Sequence, residues 1–286
     1  MKGLNFFSKI VLPVLLVVIL INSCKAKKHV YKSPPHYNFA EAFPGKLDLH
    51  LKEISGVVWD TSKDEFIAHN DEMGKIFYLD KDSKITKREF QFSEKKGDYE
   101  DIAIANGIVY VLRSDGMITK IITDSAGKQH PIEAGAIELS GSNDFESMYY
   151  DPARKALIIL CKNCSSDEKK MVSAFAFYID STGFDPKPVF VIDGKKIDEL
   201  TPRETSSFQP SAAAINPKLN QLFILSSASN QLVITDLNGE VQSVTMLAKK
   251  LFPQPEGITF KSSGDMYISN EAVTSKASLL KFTFKP

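Results

Sequence analysis

The sequence has 286 residues, with 35 Lys and Arg against 35 Asp and Glu, so its formal net charge is zero. A neutral chain lacks the basic excess that attracts polyanions, and we therefore expect no nucleic-acid partner. Hydrophobic residues make up 43% and charged residues 24%, which is typical of a globular domain and excludes a chain that is disordered throughout.

Residues 1–23 have the features of a secretory signal. Two Lys precede an almost wholly apolar run over residues 10–21, which is shorter than the roughly 20 residues needed to span a bilayer. Residues 21–24 read Ile-Asn-Ser-Cys and resemble a bacterial lipobox, in which Cys24 becomes the lipidated first residue of the mature chain. The alternative is an ordinary signal or a short anchor helix with an incidental Cys.

Residues 24–35 are interpreted as the lipidated Cys and a flexible tether. This stretch is basic, ends in two Pro residues and has no buried-face pattern. Lys25 follows Cys24 and no acidic cluster follows it, so we expect an outer-membrane lipoprotein that faces the periplasm and contacts the membrane through its lipid. That compartment permits disulfides.

Residues 36–286 predict an all-β fold. Five segments share one pattern, in which a short apolar strand, a polar turn, a more apolar strand and a second turn follow one another. Such repeats are typical of β-propeller blades, and a β-sandwich is the alternative fold. We predict a single five-bladed propeller, and a sixth blade within the long third segment is the other possibility. The segments begin at Glu53, Glu100, Glu146, Ser211 and Glu256.

The outer strands are less clearly marked. Stretches near residues 87–92, 136–139, 188–193 and 241–247 are candidates for the fourth strands of the first four blades. The chain ends without a fourth strand for the last blade, so the segment from Tyr37 to Leu51 is predicted to close the ring there. Closure of this kind joins the chain ends and leaves no free sheet edge between them.

Polar residues are predicted to converge on one face. In a propeller the first strands line the central channel, and their starts lie on the same face as the ends of the second strands. Carboxylates at these positions are the metal-ligand candidates: Glu53, Glu72, Glu100, Glu146, Glu256 and Glu271. Other polar residues there are the ligand-binding candidates: Asn70, Asp71, Arg113, Asp115, Lys162, Ser211 and Asn270.

Several like charges at one mouth repel each other and are costly to desolvate. A bound cation such as Ca²⁺ would offset this cost, and Ca²⁺ or Mg²⁺ fits better than Zn²⁺ because oxygen donors dominate and His is scarce. Pairing with Arg113 and Lys162, or hydrogen bonds from backbone N–H groups that join neighbouring blades, are the two alternatives.

Several phrases resemble the SdiA-regulated family of bacterial exported β-propellers. They are L-x-EISG-x-x-W, HNDE-x-G-x-I, GDYEDIAI, RSDG, FQPSA-x-AINP and QPEGI-x-F with MYISNE, and they extend over roughly residues 48–284. The resemblance implies a secreted or membrane-anchored propeller and supports the face with Glu53, Glu100 and Glu256 as a site. It supplies no catalytic residues.

Cys161 and Cys164 form a C-x-x-C pattern. No second pair of this kind accompanies it, so a zinc site is not supported. Fully extended, the two Cα atoms would be about 10 Å apart, too far for a disulfide unless the chain turns between them. A structural disulfide or two free thiols are the remaining interpretations.

These features predict a monomeric, envelope-anchored lipoprotein that binds a small molecule or a partner protein, with Ca²⁺ on the Glu-rich face. The alternative is a metal-dependent hydrolase of phosphate or other esters that uses the same face.

Overall fold

The computed structural model describes residues 32–82, 86–181, 183–202, 207–273 and 276–286. The predicted signal segment, Cys24 and the tether up to residue 31 lie outside the described residues. In the part of the chain that is described, no helix is both long and apolar enough to cross a bilayer.

The described residues form five small antiparallel sheets, which confirms the five-bladed β-propeller. The first strand, β1 (Phe43–Lys46), belongs to the last sheet. Blade 1 comprises β2 (Ile54–Asp60), β3 (Glu65–Asn70), β4 (Lys75–Leu79) and β5 (Thr86–Gln91). Blade 2 comprises β6 (Tyr99–Ala105), β7 (Ile108–Arg113), β8 (Met117–Thr123) and β9 (Gln129–Ala136).

Blade 3 has one strand more than the others, because two short strands, β13 and β14, both pair with its third strand. It comprises β10 (Asn143–Asp151), β11 (Ala156–Cys164), β12 (Met171–Tyr178), β13 (Gly183–Phe184) and β14 (Phe190–Asp193). Blade 4 comprises β15 (Ala212–Asn216), β16 (Gln221–Ser226), β17 (Gln231–Thr235) and β18 (Val241–Met246). Blade 5 comprises β19 (Pro255–Phe260), β20 (Met266–Asn270), β21 (Ser278–Phe282) and β1.

The ring closes between the two ends of the described chain. β1 pairs antiparallel with β21, with Phe43 opposite Lys281 and Lys46 opposite Ser278. The first strands of the five blades are neighbours in the order β2, β6, β10, β15 and β19, and β19 returns to β2. This arrangement confirms the predicted closure of the last blade by the N-terminal segment.

The central residues of the second strand of each blade are apolar because both faces of that strand are covered. In β16, Leu222 and Ile224 pack toward blade 3, whereas Phe223 and Leu225 pack toward blade 5. Within the described residues, five hydrophobic clusters fill the gaps between neighbouring blades in this way. The core is therefore a ring of inter-blade layers.

The outer strand of blade 2 differs from the prediction. It is β9, at residues 129–136, whereas the sequence pattern favoured residues 136–139. β9 contains Pro131, and residues 131–133 are exposed at the edge of the sheet. An exposed edge strand tolerates Pro and needs no apolar alternation, so its sequence gives little strand signal.

The two faces of the ring have different roles. We call the face on which β2, β6, β10, β15 and β19 begin the upper face, and the face with the turns between first and second strands the lower face. The N-terminal segment lies on the lower face, where the Tyr37 hydroxyl donates to the Gly264 carbonyl at 2.7 Å and accepts from Asn216 Nδ2 at 2.6 Å. The described helices are short: 3-10 turns at Phe39–Glu41 and Leu49–Leu51, and α1 (Gly194–Leu200).

Candidate functional site

Three glutamates occupy equivalent positions at β-bulges on the upper face. The pairing of first and second strands skips one residue in blades 2, 3 and 5, and the skipped residues are Glu100, Glu146 and Glu256. A bulge frees a residue from the ladder and re-aims its side chain. The sequence therefore delivers one glutamate from each of three blades to the mouth of the channel.

Serines occupy the equivalent position in the other two blades. The Ser55 hydroxyl donates to the Glu100 carbonyl at 2.8 Å, and the Ser211 hydroxyl donates to the Pro255 carbonyl at 2.9 Å. Each bond joins a blade to the next one. Glu53 lies two residues before Ser55 and does not align with Glu100, so the predicted register of the first repeat is corrected by two residues.

Three of the predicted carboxylates form ion pairs. Lys52 Nζ lies 2.9 Å from Glu53, and Lys96 Nζ lies 2.7 Å from Glu72. Glu146 pairs closely with Lys162. The hydrogen bond from Lys96 lowers the pKa of Glu72 at the exposed rim. Ion pairing within the protein, one of the three predicted ways to offset the negative charge, therefore applies to part of the acidic face.

Glu100 and Glu256 form no ion pair with any described Lys or Arg. Burial raises the pKa of Glu100 to about 9, and Asp98 contributes through repulsion and a shared hydrogen bond. Burial also raises the pKa of Glu256 to about 7, although Ser227 and Gln254 donate hydrogen bonds to its carboxylate. Each group is therefore costly to ionise without a nearby cation.

Glu271 and Asp71 extend this group across blades 5 and 1. Burial raises the pKa of Glu271 to about 8, with further repulsion from Glu256, Asp71 and Glu53. Burial raises the pKa of Asp71 as well, and the charges of Glu53, Glu72 and Asp98 add to the effect. We call Asp71, Asp98, Glu100, Glu256 and Glu271 the carboxylate cluster.

Sequence reasoning missed three polar residues beside the bulge glutamates: Asp98, Asp144, whose charge repels that of Glu100, and Gln254. Each lies two residues before its glutamate, and Glu53 and Gln209 hold the same position in blades 1 and 4. Asp98 shares a hydrogen bond with Glu100, and Gln254 donates to Glu256. A polar residue recurs two positions before each of the glutamates and serines at the start of a blade. This recurrence was the signal that could have revealed the second set of polar residues.

The other predicted ligand-binding residues have structural partners. Arg113 donates two hydrogen bonds to Asp115, at 2.9 and 2.7 Å, and it borders a separate groove of about 390 Å³ between blades 1 and 2. Asn70 accepts from the Met73 amide at 2.7 Å. Asn270 is wholly buried and donates from Nδ2 to Ser278 Oγ at 3.4 Å, whereas its Oδ1 has no hydrogen-bond partner in the described structure.

Cys161 and Cys164 are joined by a disulfide, with their Cα atoms 5.8 Å apart. A β-bulge at Lys162 shortens the path between them, because Phe145 pairs with Cys161 while Asp144 pairs with Asn163. Among the described residues, Cys161, Cys164 and Asp167 are the one group whose metal-ligating atoms lie within 4.8 Å of each other. The disulfide removes the thiolates, so this group is not a metal site.

A buried histidine lies beneath the cluster, between blades 1 and 2. The His69 ring is fully buried, and burial lowers its pKa to about 4. A Cβ atom on Gly56 would lie 2.6 Å from His69 Nε2 and 2.9 Å from Asp101 Oδ1, so only glycine fits there. His69 is therefore a neutral, fully buried residue of the interface between blades 1 and 2.

Comparisons with known proteins agree with this architecture. A family model described as SdiA-regulated matches residues 43–273. No curated protein matches the sequence. Glutaminyl cyclase of Myxococcus xanthus superposes with a TM-score of 0.56 at 13% identity, covering 86% of this chain and 97% of its own.

A second solved structure is a protein of unknown function from Bacteroides thetaiotaomicron. Its TM-score is 0.51 at 14% identity, and the match covers 80% of this chain and 55% of that protein. Identities this low show a shared fold and carry no information on activity.

Proposed function

This chain belongs to the SdiA-regulated family, and from that premise we propose that it is a binding module whose carboxylate cluster holds Ca²⁺. The observation that carries the proposal is the meeting of Glu100, Glu256 and Glu271 at one mouth without an ion-pair partner among the described residues. A divalent cation would offset the repulsion and desolvation that raise their pKa values.

The donor set fits a hard cation. Ca²⁺ takes six to eight oxygen ligands from carboxylates, amide carbonyls and water in flexible geometry. Glu100, Glu256, Glu271 and Asp71 supply carboxylates from three blades, and Gln254 supplies an amide. Glu53, Glu72 and Glu146 are already paired with lysines and are not part of this set. Thiolate and imidazole donors, which Zn²⁺ prefers, do not contribute here.

The metal-dependent hydrolase alternative depends on the same cation and has no observation of its own. Cation binding is therefore the function proposed, with a small molecule or a partner protein bound at the upper face beside the ion.

We further propose that Cys24 is lipidated and holds a monomeric propeller at the outer membrane, facing the periplasm. Lys32 lies eight residues after Cys24, so the intervening chain spans less than about 30 Å even when extended. The N-terminal segment packs on the lower face through Tyr37. The first described residues, from Lys32, thus lead into the lower face, opposite the carboxylate cluster.

A thermal melt tests cation binding. The mature chain with Cys24→Ser is melted in EDTA and then with Ca²⁺, Mg²⁺ or Zn²⁺. Ligand at 100 times Kd adds about 2.7 kcal/mol of stability. We expect a rise with Ca²⁺ that Glu100→Gln with Glu256→Gln abolishes, while Glu240→Gln on the lower face retains it. The absence of a shift with every ion, in protein shown to be metal-free, contradicts the proposal.

Lipidation has its own test. Mass spectrometry of the mature N-terminus is expected to show an acylated Cys24, and Cys24→Ser is expected to move the protein from the membrane fraction to the soluble fraction. An unmodified N-terminus at another residue would refute the anchor and leave cation binding unaffected.

A further inference from the structure

The acidic mouth contains one ammonium group at an unusual place. Lys162 is the bulged residue of β11, and it meets the bulge glutamate of the facing strand, Glu146. Its Nζ also lies 3.8 Å from Asp144. Two bulges on neighbouring strands therefore direct a lysine and a glutamate toward each other.

The charge of Lys162 extends beyond blade 3. It partly offsets the burial that raises the pKa of Glu100 in blade 2 and of Glu256 in blade 5. Its side chain is 31% exposed, against 81% for Lys96 at the rim. Lys162 is thus paired within blade 3, beside Glu146 and Asp144, and its charge also acts on carboxylates of blades 2 and 5.

The strand around Lys162 is held in place from both sides. The disulfide between Cys161 and Cys164 encloses the bulge, and both cysteines are buried in the cluster between blades 2 and 3. Within the described residues, no three carboxylate groups of this mouth have oxygens that all lie within 4.8 Å of one another. Without a cation, the donor oxygens of this mouth thus lie farther apart than in a formed metal site, and the ammonium of Lys162 lies beside two of the carboxylates, Glu146 and Asp144.

We propose that Lys162 is the built-in counter-ion of the bulge glutamates Glu100, Glu146 and Glu256, and that a divalent cation binds among them by displacing its ammonium group. The inference rests on the proposed cation site and adds its regulation. A positive charge near the ligands opposes a second cation, so Lys162 sets the affinity of the site low and makes binding sensitive to whatever else engages that lysine.

The test is a Ca²⁺ titration by calorimetry on the mature chain with Cys24→Ser, after removal of metal with EDTA. Lys162→Met removes the charge at similar length, and Lys162→Gln is a second variant that keeps a hydrogen-bond donor for Glu146. Lys249→Met is the matched control, because it removes an exposed lysine elsewhere on the upper face. Thermal melts establish that each variant is folded.

Both Lys162 variants are expected to bind Ca²⁺ about tenfold or more tightly than the unsubstituted chain, and Lys249→Met within about twofold. Equal or weaker binding in the Lys162 variants, while the unsubstituted chain binds, overturns the counter-ion role and leaves the proposed function standing. No binding in any chain refutes the cation site itself, and the counter-ion role with it.

A second measurement needs no substitution at Lys162. An amine-reactive ester labels lysines, and mass spectrometry follows the labelling rate of Lys162 with and without Ca²⁺. Displacement predicts faster labelling with Ca²⁺, and the rate at Lys249 serves as the internal reference. An unchanged rate at Lys162 under conditions in which Ca²⁺ is bound contradicts the inference.

Discussion

The Asp101 carboxylate in blade 2 accepts a hydrogen bond from the backbone N–H of Met148 in blade 3, at 2.8 Å. Its other oxygen accepts from the Ile102 N–H at 2.8 Å. The side chain is almost fully buried, and burial raises its pKa well above the ordinary value against the effect of the two donors. One acidic side chain thus links the first strands of two blades.

Asp101→Ala is expected to destabilise the propeller by about 2 kcal/mol or more, because two buried N–H groups lose their acceptor. Urea unfolding measures the change in the free energy of unfolding. Asp180→Asn, an exposed substitution in the same class of residue, is expected to stay within about 0.5 kcal/mol. A similarly small effect for Asp101→Ala would show that water replaces the carboxylate and that the inter-blade link is dispensable.

The pH dependence of stability reports the ionisation of Glu256. Its pKa in the folded chain is raised to about 7 from an ordinary 4.5, so the folded chain holds more protons than the unfolded chain between these values. The free energy of unfolding therefore falls as the pH rises through this window. Glu100 and Glu271, with pKa values raised to about 9 and about 8, continue the fall to higher pH.

Glu256→Gln removes one titrating group and is expected to reduce the loss of stability between pH 5 and pH 8 by on the order of 2 kcal/mol. Urea unfolding in EDTA at several pH values gives the two profiles. Glu240→Gln on the lower face is expected to follow the unsubstituted chain. Parallel profiles for Glu256→Gln and the unsubstituted chain would mean that this carboxylate ionises as easily as an exposed one.

The disulfide is expected to add a modest amount of stability. It closes a loop of four residues, and the chain-entropy relation gives about 2 kcal/mol for so short a loop. Replacing Cys161 and Cys164 with Ala, individually and together, tests this value by urea unfolding. The double variant is expected to lose at least that amount, and a loss near zero would show that the disulfide does not stabilise the folded chain.

The sequence was sufficient for the fold because each blade repeats one pattern whose second strand has an apolar central run. Runs such as residues 222–225 are apolar since neighbouring blades cover both faces of the strand. The outer strand of blade 2 gave no such signal, because it is an exposed edge that carries Pro131. The strength of the sequence signal for each strand therefore depends on how deeply that strand is buried.

The candidate site was predicted in part. The bulge glutamates Glu100, Glu146 and Glu256 follow from the repeat alignment. In blade 1, however, the alignment places Glu53 at their position, whereas the structure places Ser55 there, because the extra residue of a bulge shifts the register. The pairing of Lys162 with Glu146 needs two bulges on facing strands. Periodicity does not encode such irregularities, so the sequence could not show which carboxylates form ion pairs and which do not.

Closure of the ring from the lower face depends on Tyr37. Its hydroxyl lies between the Gly264 carbonyl in blade 5 and the Asn216 amide in blade 4, and the ring is buried against Phe223. Tyr37→Phe keeps the ring but leaves two buried polar groups without this partner, which is expected to cost about 1–3 kcal/mol. Urea unfolding measures the loss, and Tyr178→Phe at an exposed position is the control. Equal stability of the two variants would show that the apolar contacts and the pairing of β1 with β21 are enough to hold the N-terminal segment in place.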